Sequence, residues 1–305
     1  TNPAATQFTG LTTQLNYGIR LLNLDIHWET KNGRRELYLC HGKCWILNRG
    51  RAADMLREVT TFMNANPREV VTIVFENAAG ANAAEIEAVF REAGLLDRLY
   101  SQPASSPTWP TLGELIDRNK RLIVFAPGLP SIPAGQPQPL IMNQFDYVSE
   151  TPYALRSEAD WNCALDRPGG QARPLVLVNH WIYGKVLFIP IDVPSANNAK
   201  WVNKADKIRG HLNKCQSVRG QRVNYVLVDF YEYGDLTEVV AGLNGVPYVA
   251  KPRPETKWRP LADGDAATIM AAPEVQALAR LAKENDGKPI SLDALDRGAT
   301  VGITE

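Results

Sequence analysis

Asn23, Asp25 and His27 fall on every second residue of one short apolar run, so in an extended strand they project to one side. Four more apolar runs end in residues of the same chemical kind. The run ELYLC is followed by His41, VVTIVF by Glu76 and Asn77, PLVLV by Asn179, His180 and Trp181, and NYVLV by Asp229, Phe230 and Tyr231. Imidazoles beside carboxylates support general acid–base chemistry near neutral pH. Asn23, Asp25 and Glu76 add hard oxygen ligands, a set suited to Ca2+ or Mg2+ rather than zinc. Acid–base groups around a hard cation suit phosphoester cleavage, where charge develops on the non-bridging phosphoryl oxygens. No G-x-S-x-G occurs, so nothing supports acyl transfer by a serine nucleophile.

Taken singly, each residue has a duller account. Asp25 and Asp229 could cap helices or pair with cations. His41 could be a loop residue beside two cysteines, and His180 a core histidine. His211 sits among polar residues on a helical stretch and reads as a surface side chain without a role. Glu76 is harder to set aside, because a buried carboxylate is costly unless paired, hydrogen-bonded or metal-bound. Five polar strand ends in one chain argue for convergence on one pocket.

The elements that would position these groups alternate. Strands are expected at residues 21–26, 36–40 (after a turn at Lys31-Asn32-Gly33), 70–75, 121–125, 145–148, 174–178 and 224–230. Several are almost continuously apolar and β-branched, as strands buried on both faces are. Between them lie helical stripes. Met55, Leu56, Val59, Phe62 and Met63 make one; Asn82-x-x-Glu85 and Thr111-x-x-Glu114 read as capping boxes; one stripe runs from Trp201 to Cys215 and the next from Leu236 to Leu243. Strand–helix alternation implies a parallel α/β fold. With no GxGxxG after the first strand, a barrel is expected rather than a dinucleotide-binding open sheet. Residues 1–250 would form it. Residues 251–305 would be a Pro- and charge-rich linker followed by a helical appendage, with a helix over 273–285, packed on the barrel.

Lys+Arg and Asp+Glu are both 33 among 305 residues. That balance excludes a nucleic-acid partner as the main expectation, since such proteins carry a basic excess. No apolar stretch reaches the about 18–20 residues of a membrane span. The four cysteines, Cys40, Cys44, Cys163 and Cys215, fit two disulfides and an oxidising compartment. Buried free thiols or a zinc site are the alternatives, the latter opposed by the lack of a second close pair.

In order along the chain, TTQLNYGIRLLNLDIHW, LYLCHGKC, NPREVVTIVFEN, WPTLGELI, FDYVSETPY, LVLVNHW and NYVLVDFYEYGDL resemble the phosphatidylinositol-specific phospholipase C X-domain family, more narrowly its secreted bacterial and fungal branch. The resemblance covers residues 12–244. It implies a distorted TIM-type barrel and cleavage of the phosphodiester of inositol phospholipids by the inositol 2-hydroxyl. The products would be diacylglycerol and a cyclic inositol phosphate, a lyase reaction in bacterial members. His41 matches the second catalytic histidine, the general acid to the diacylglycerol oxygen. Asp25 matches the acidic residue of the strand motif. His27 stands where metal-independent members carry an arginine, and Glu76 where calcium-dependent members carry an acidic ligand and the others a lysine. Asn23, Asp25 and Glu76 are thus expected to hold Ca2+. Asp229 matches an acidic residue on the last strand that orients a histidine. Trp181 and Tyr231, with His180 and Tyr147, are expected at the headgroup. The resemblance also implies Cys40–Cys44 and Cys163–Cys215 pairing.

One departure is large. The family's first histidine, the general base, lies in a T-H-[ND]-S-like motif ahead of the segment matching residues 12–20, and residues 1–10 hold no histidine. Three expectations follow: an earlier piece of the polypeptide supplies the base and the first strand; His27 or His180 takes the base role; or the protein binds lipid or inositol phosphate without turnover. Residues 299–304 (ATVGIT) could pair into the gap left by the first strand. The rival enzyme reading is a barrel phosphodiesterase acting on sphingomyelin or glycerophosphodiesters. A secreted or periplasmic location and transient contact with a membrane surface complete the picture, with Leu187, Phe188 and Ile189 entering the lipid interface.

Overall fold

The computed structural model describes residues 4–103, 108–133, 135–186, 189–256, 271, 273–284 and 290–291. Helix α1 (Leu11–Tyr17) leads into β1 (Leu21–Lys31), which turns back through Asn32 and Gly33 into β2 (Arg34–His41). Lys31 pairs with Arg34, and both turn residues have positive φ, 51° and 73°. Asn-Gly is the dipeptide that such a two-residue hairpin turn selects. Strand β3 (Leu47–Arg51) pairs antiparallel with β2 and runs into α2 (Ala52–Ala65), whose Leu56, Val59, Phe62 and Met63 are buried.

Next come β4 (Val71–Glu76), α3 (Ala83–Glu92), β5 (Leu99–Tyr100), α4 (Leu112–Asp117) and β6 (Leu122–Ala126). The expected capping boxes at Asn82–Glu85 and Thr111–Glu114 open α3 and α4. The stretch 145–147 is not a strand: β7 (Met142–Asn143) and β8 (Val148–Glu150) are separated by one helical turn, α5 (Gln144–Tyr147). The chain continues through β9 (Leu175–His180), the hairpin β10 (Gly184–Val186) and β11 (Ile189–Val193), α6 (Ala196–Val202), α7 (Ala205–Arg219), β12 (Tyr225–Val228) and α8 (Leu236–Leu243). The stripe from Trp201 to Cys215 is therefore two helices. They break at Asn203, whose Nδ2 donates to the Asp229 and Phe230 carbonyls, 2.8 and 3.2 Å away, so the chain must turn there.

Two parallel sheets, β1-β4-β6-β7 and β8-β9-β12, carry the barrel; β2 and β3 extend the first as an antiparallel flap. Alternation divides every strand between two cores. Leu22, Ile26, Ile73, Phe75, Leu122 and Val124 pack outward under α1–α3, while Val74, Ile123, Phe125, Val148, Leu175 and Leu177 fill the interior. The fold is a distorted TIM-type (β/α) barrel. It is open: among the described residues no ladder joins β12 to β1. Residues 4–10 cross that opening as an irregular strap.

Helix α9 (Pro273–Glu284) packs through Val275, Leu278 and Leu281 against Ile191 and Val193 of β11 and against Ala4 and Ile46. Strand β13 (Ile290–Ser291) adds parallel to β11. The stretch following Trp181 thus forms a hairpin with the helix laid on it. Residues 187–188, between its two strands in the sequence, lie outside the described residues, as do 299–304.

Candidate active site

The interior set of side chains that is apolar low in the barrel turns polar at the strand ends. Counting in steps of two from Leu21 gives Asn23, Asp25 and His27 on β1. From Val74 it gives Glu76 on β4, from Val148 it gives Glu150 on β8, from Leu177 it gives Asn179 on β9, and from Leu227 it gives Asp229 just past β12. These are C-terminal strand ends, where barrel enzymes place their chemistry. The parallel register sets Asp25 beside Glu76.

A cavity of about 240 Å3 opens along the gap between β1 and β12. Asn23, Asp25, His41, Arg49, Trp181, Asp229 and Tyr231 line it, together with Thr6, Gln7 and Thr9 of the strap. His41 is buried, and its Nδ1 lies 2.5 Å from the Ala4 carbonyl oxygen. A carbonyl only accepts, so Nδ1 carries the proton, and any proton the neutral ring exchanges with a ligand moves at Nε2. The indole of Trp181 is fixed by donation to the Tyr153 carbonyl, 3.1 Å away.

The strap is held by a dense set of hydrogen bonds. Phe230 N donates to Thr6 O at 2.7 Å, and Tyr231 N to Gln7 Oε1 at 3.0 Å. The Gln7 amide donates to Val228 O at 2.9 Å. Phe8 N, Thr9 N and Thr9 Oγ1 all donate to Glu232 Oε1, at 2.9, 3.1 and 2.9 Å. Burial pushes the Glu232 carboxyl above its usual range even against these donors. The Tyr231 hydroxyl is 2.6 Å from Thr9 Oγ1, and burial pushes its pKa up to about 12, so it stays neutral.

Beside Asp25, behind the cavity, sits a buried charge cluster that sequence reading missed. Arg167 Nη2 is 3.8 Å from Glu76 Oε1, and its Nε hydrogen-bonds Glu150 Oε1. Gln144 Nε2 donates to Glu150 Oε2 at 3.2 Å. Phe145 and Tyr153 lie under the guanidinium, with ring centroids 5.0 and 5.6 Å from Cζ. Burial raises the Glu150 pKa, with Arg167 opposing it. Burial lowers that of Arg167, but Glu150 and Glu76 outweigh it and hold the guanidinium above its ordinary value. Among the described residues the buried oxygens Asn23 Oδ1 and Asn179 Oδ1 have no hydrogen-bond partner. A hard cation held by Asn23, Asp25 and Glu76 fits this donor chemistry, and Arg167 would share Glu76 with it.

Three expected residues lie elsewhere. His180 is wholly buried on the outer face of β9, the face of Val176 and Val178, not the face of Asn179. Tyr147 is in the barrel core against Trp109 and Phe125, with its hydroxyl donated to the Gln102 carbonyl at 2.9 Å. Neither touches the cavity, so both are corrected to structural residues. His27 is buried and absent from the cavity lining. His211 is no surface residue: it is 4% exposed, Nδ1 to Nδ1 with His180 at 2.9 Å. Both disulfides are present, Cys40–Cys44 and Cys163–Cys215. Among the described residues no helix is long and apolar enough to cross a membrane.

Comparison with known proteins shows the family and the fold. The family model PI-PLC X 1 matches residues 1–244. "PI-PLC X domain-containing protein 1" of Arthroderma benhamiae is 31% identical over 248 residues, covering 79% of each chain. An "Uncharacterized secreted protein" of the same fungus is 29% identical over 269 residues, 82% of this chain and 59% of that one. Among solved structures, the phosphatidylinositol-specific phospholipase C of Listeria monocytogenes superposes with a TM-score of 0.51 at 16% identity, over 80% of this chain and 85% of that one, a likeness of fold.

Proposed function

Because the chain belongs to the phosphatidylinositol-specific phospholipase C X-domain family, we propose that it cleaves the headgroup phosphodiester of a phospholipid, phosphatidylinositol first among the candidates. The observation that carries this reading is the convergence of Asp25, His41 and Asp229 on one cavity at the C-terminal strand ends. His41, with Nδ1 tied to the Ala4 carbonyl, would give a proton from Nε2 to the departing diacylglycerol oxygen. Asp25 and Asp229, which share the cavity with His41, would give that cavity negative charge. Trp181 and Tyr231 offer a flat wall and a neutral hydroxyl to a polyhydroxylated ring. Asn23, Asp25 and Glu76 would hold Ca2+, which when bound supplies positive charge opposite the phosphoryl oxygens. The two disulfides and the secreted fungal relative support an extracellular site of action, where phospholipid surfaces are the substrate phase.

One observation favours a second reading. Among the described residues His41 is the one histidine lining the cavity, and a two-step acid–base reaction calls for a second proton acceptor. An inositol phosphate or lipid headgroup bound without turnover would need only the first. The test is incubation with phosphatidylinositol vesicles, with calcium and with a chelator, and separation of the water-soluble phosphates. Cyclic inositol phosphate released by the wild type, with His41→Ala slower by about 10²–10⁴-fold and Glu76→Gln shifted in its calcium requirement, is the expected outcome. Vesicle binding with no product in either medium establishes the second reading instead. Turnover of sphingomyelin or glycerophosphodiesters in preference would move the substrate and keep the site.

A further inference from the structure

Outside the barrel, on the face of β9 turned away from the cavity, four side chains with metal-binding chemistry lie together. His211 and Cys215 are one turn apart on α7 and share a face. Cys163 is joined to Cys215. The two sulfurs and a ring nitrogen of His211 all lie within 4.8 Å of one another, and all three residues are buried. His180 is bonded behind His211, and Trp161 stacks on the His211 ring with centroids 4.9 Å apart and planes 11° apart.

The hydrogen bonds fix the tautomers of both rings. His180 Nε2 lies 3.0 Å from the Val202 carbonyl oxygen, so Nε2 carries the proton and Nδ1 of this neutral ring is a bare acceptor. His211 Nδ1, 2.9 Å from it, must then be the donor. That leaves the lone pair on His211 Nε2, a buried atom with no hydrogen-bond partner among the described residues. Such an atom is uncommon in a folded core, and a metal-ligating histidine characteristically donates its other ring N–H to a fixed acceptor, as His211 Nδ1 does here to His180. Lys214 Nζ, 2.7 Å from the Trp161 carbonyl, and Arg219 Nε, 3.1 Å from the Cys163 carbonyl, place two cations where they would favour thiolates.

We propose that reduction of the Cys163–Cys215 disulfide uncovers a three-ligand site, Cys163 Sγ, Cys215 Sγ and His211 Nε2, for a soft closed-shell cation, Zn2+ or Cu+. A dithiol supplies two electrons and two protons; its own sulfurs close into a disulfide as the Cys163–Cys215 bond breaks into two thiols. The cation then displaces both thiol protons to solvent, and the sulfurs part to roughly 3.7 Å, the edge of a tetrahedron with bonds of about 2.3 Å. His211 Nε2 already carries a lone pair and needs no deprotonation. Two thiolates with one imidazole favour zinc or copper over calcium or magnesium, so this site is chemically distinct from the oxygen donors inside the barrel.

The experiment uses the full chain with Cys40→Ser and Cys44→Ser, so that one disulfide remains. It is reduced with a dithiol, desalted under nitrogen and titrated with Co2+ as a spectroscopic stand-in for Zn2+, with circular dichroism recorded alongside. Thiolate-to-cobalt charge-transfer and tetrahedral d–d bands saturating at one ion per chain, absent before reduction, weakened at least tenfold in affinity by His211→Ala and bleached by Zn2+, are expected. A reduced chain that stays folded and shows no bands overturns the proposal. So do bands that His211→Ala leaves unchanged, and so does a chain that loses its helical signal on reduction and does not regain it with Zn2+.

Discussion

Glu232 shows how one carboxyl can organise a segment without touching the chemistry. Its Oε1 takes three donors from Phe8 and Thr9, yet burial still raises its pKa, with the hydrogen bonds opposing. A carboxyl whose folded pKa is raised contributes stability that is complete below its ordinary pKa and is lost as pH climbs through the raised value. Glu232→Gln keeps an acceptor oxygen for the strap and removes the charge. The variant should therefore be more stable than wild type at about pH 8, with the difference vanishing near pH 4 or below; urea midpoints at the two pH values measure it. A variant weaker at the higher pH would mean the strap's donors outweigh burial. At this scale the sequence was partly readable. Asp25, His41 and Asp229 follow apolar runs and do line the cavity. Glu150 and Arg167 were hidden because one ends a strand of only three residues and the other lies in a loop, where no period marks the inward side. His180 was misplaced although the period was available: Val176, Val178 and His180 alternate on the helix-covered face, and Asn179 takes the inward place.

The turns between elements carry as much specification as the elements. After β12 the chain must bend sharply to bring Asp229 and Tyr231 to the cavity, and Gly234 lies in that bend with φ +78°. A Cβ there would sit 1.9 Å from the Asn203 carbonyl oxygen, an approach that no rotamer relieves. The left-handed conformation alone costs a non-glycine residue about 1–2 kcal/mol. Gly234→Ala should lower stability by about 3 kcal/mol or more, read as a fall in urea midpoint or a failure to accumulate as folded protein. An unchanged midpoint would show that α6 and this turn can move apart. Local signals were legible here: the Asn32-Gly33 hairpin and both capping boxes act within four residues. The break between α6 and α7 was not legible, because Asn203 is drawn out of helix by carbonyls of Asp229 and Phe230, 26 and 27 positions along the chain.

Across the whole molecule, the two disulfides divide the stabilisation unequally. Cys163–Cys215 spans 52 residues and Cys40–Cys44 spans 4. Chain-entropy reasoning assigns about 4 kcal/mol to the first and about 2 to the second, so Cys163→Ala with Cys215→Ala should cost about twice what Cys40→Ala with Cys44→Ala costs in chemical denaturation. Equal losses would show that strain or residual structure, not loop length, decides. The barrel itself was legible from alternation of runs and stripes. The strap was not, since residues 4–10 have no period and are ordered by partners more than 200 positions away. The alternation of each strand between two cores also sets how the protein tolerates change. Roles along a strand end are interleaved at a spacing of one. Polar replacements at Phe75, Val178 and Val228 should deplete the soluble protein, while replacements at their neighbours Glu76, Asn179 and Asp229 should leave its yield and alter what it does. In a saturation library sorted once for abundance and once for headgroup binding, the two phenotypes would appear as a comb with offset teeth, tracing the barrel's inner wall without any further structure.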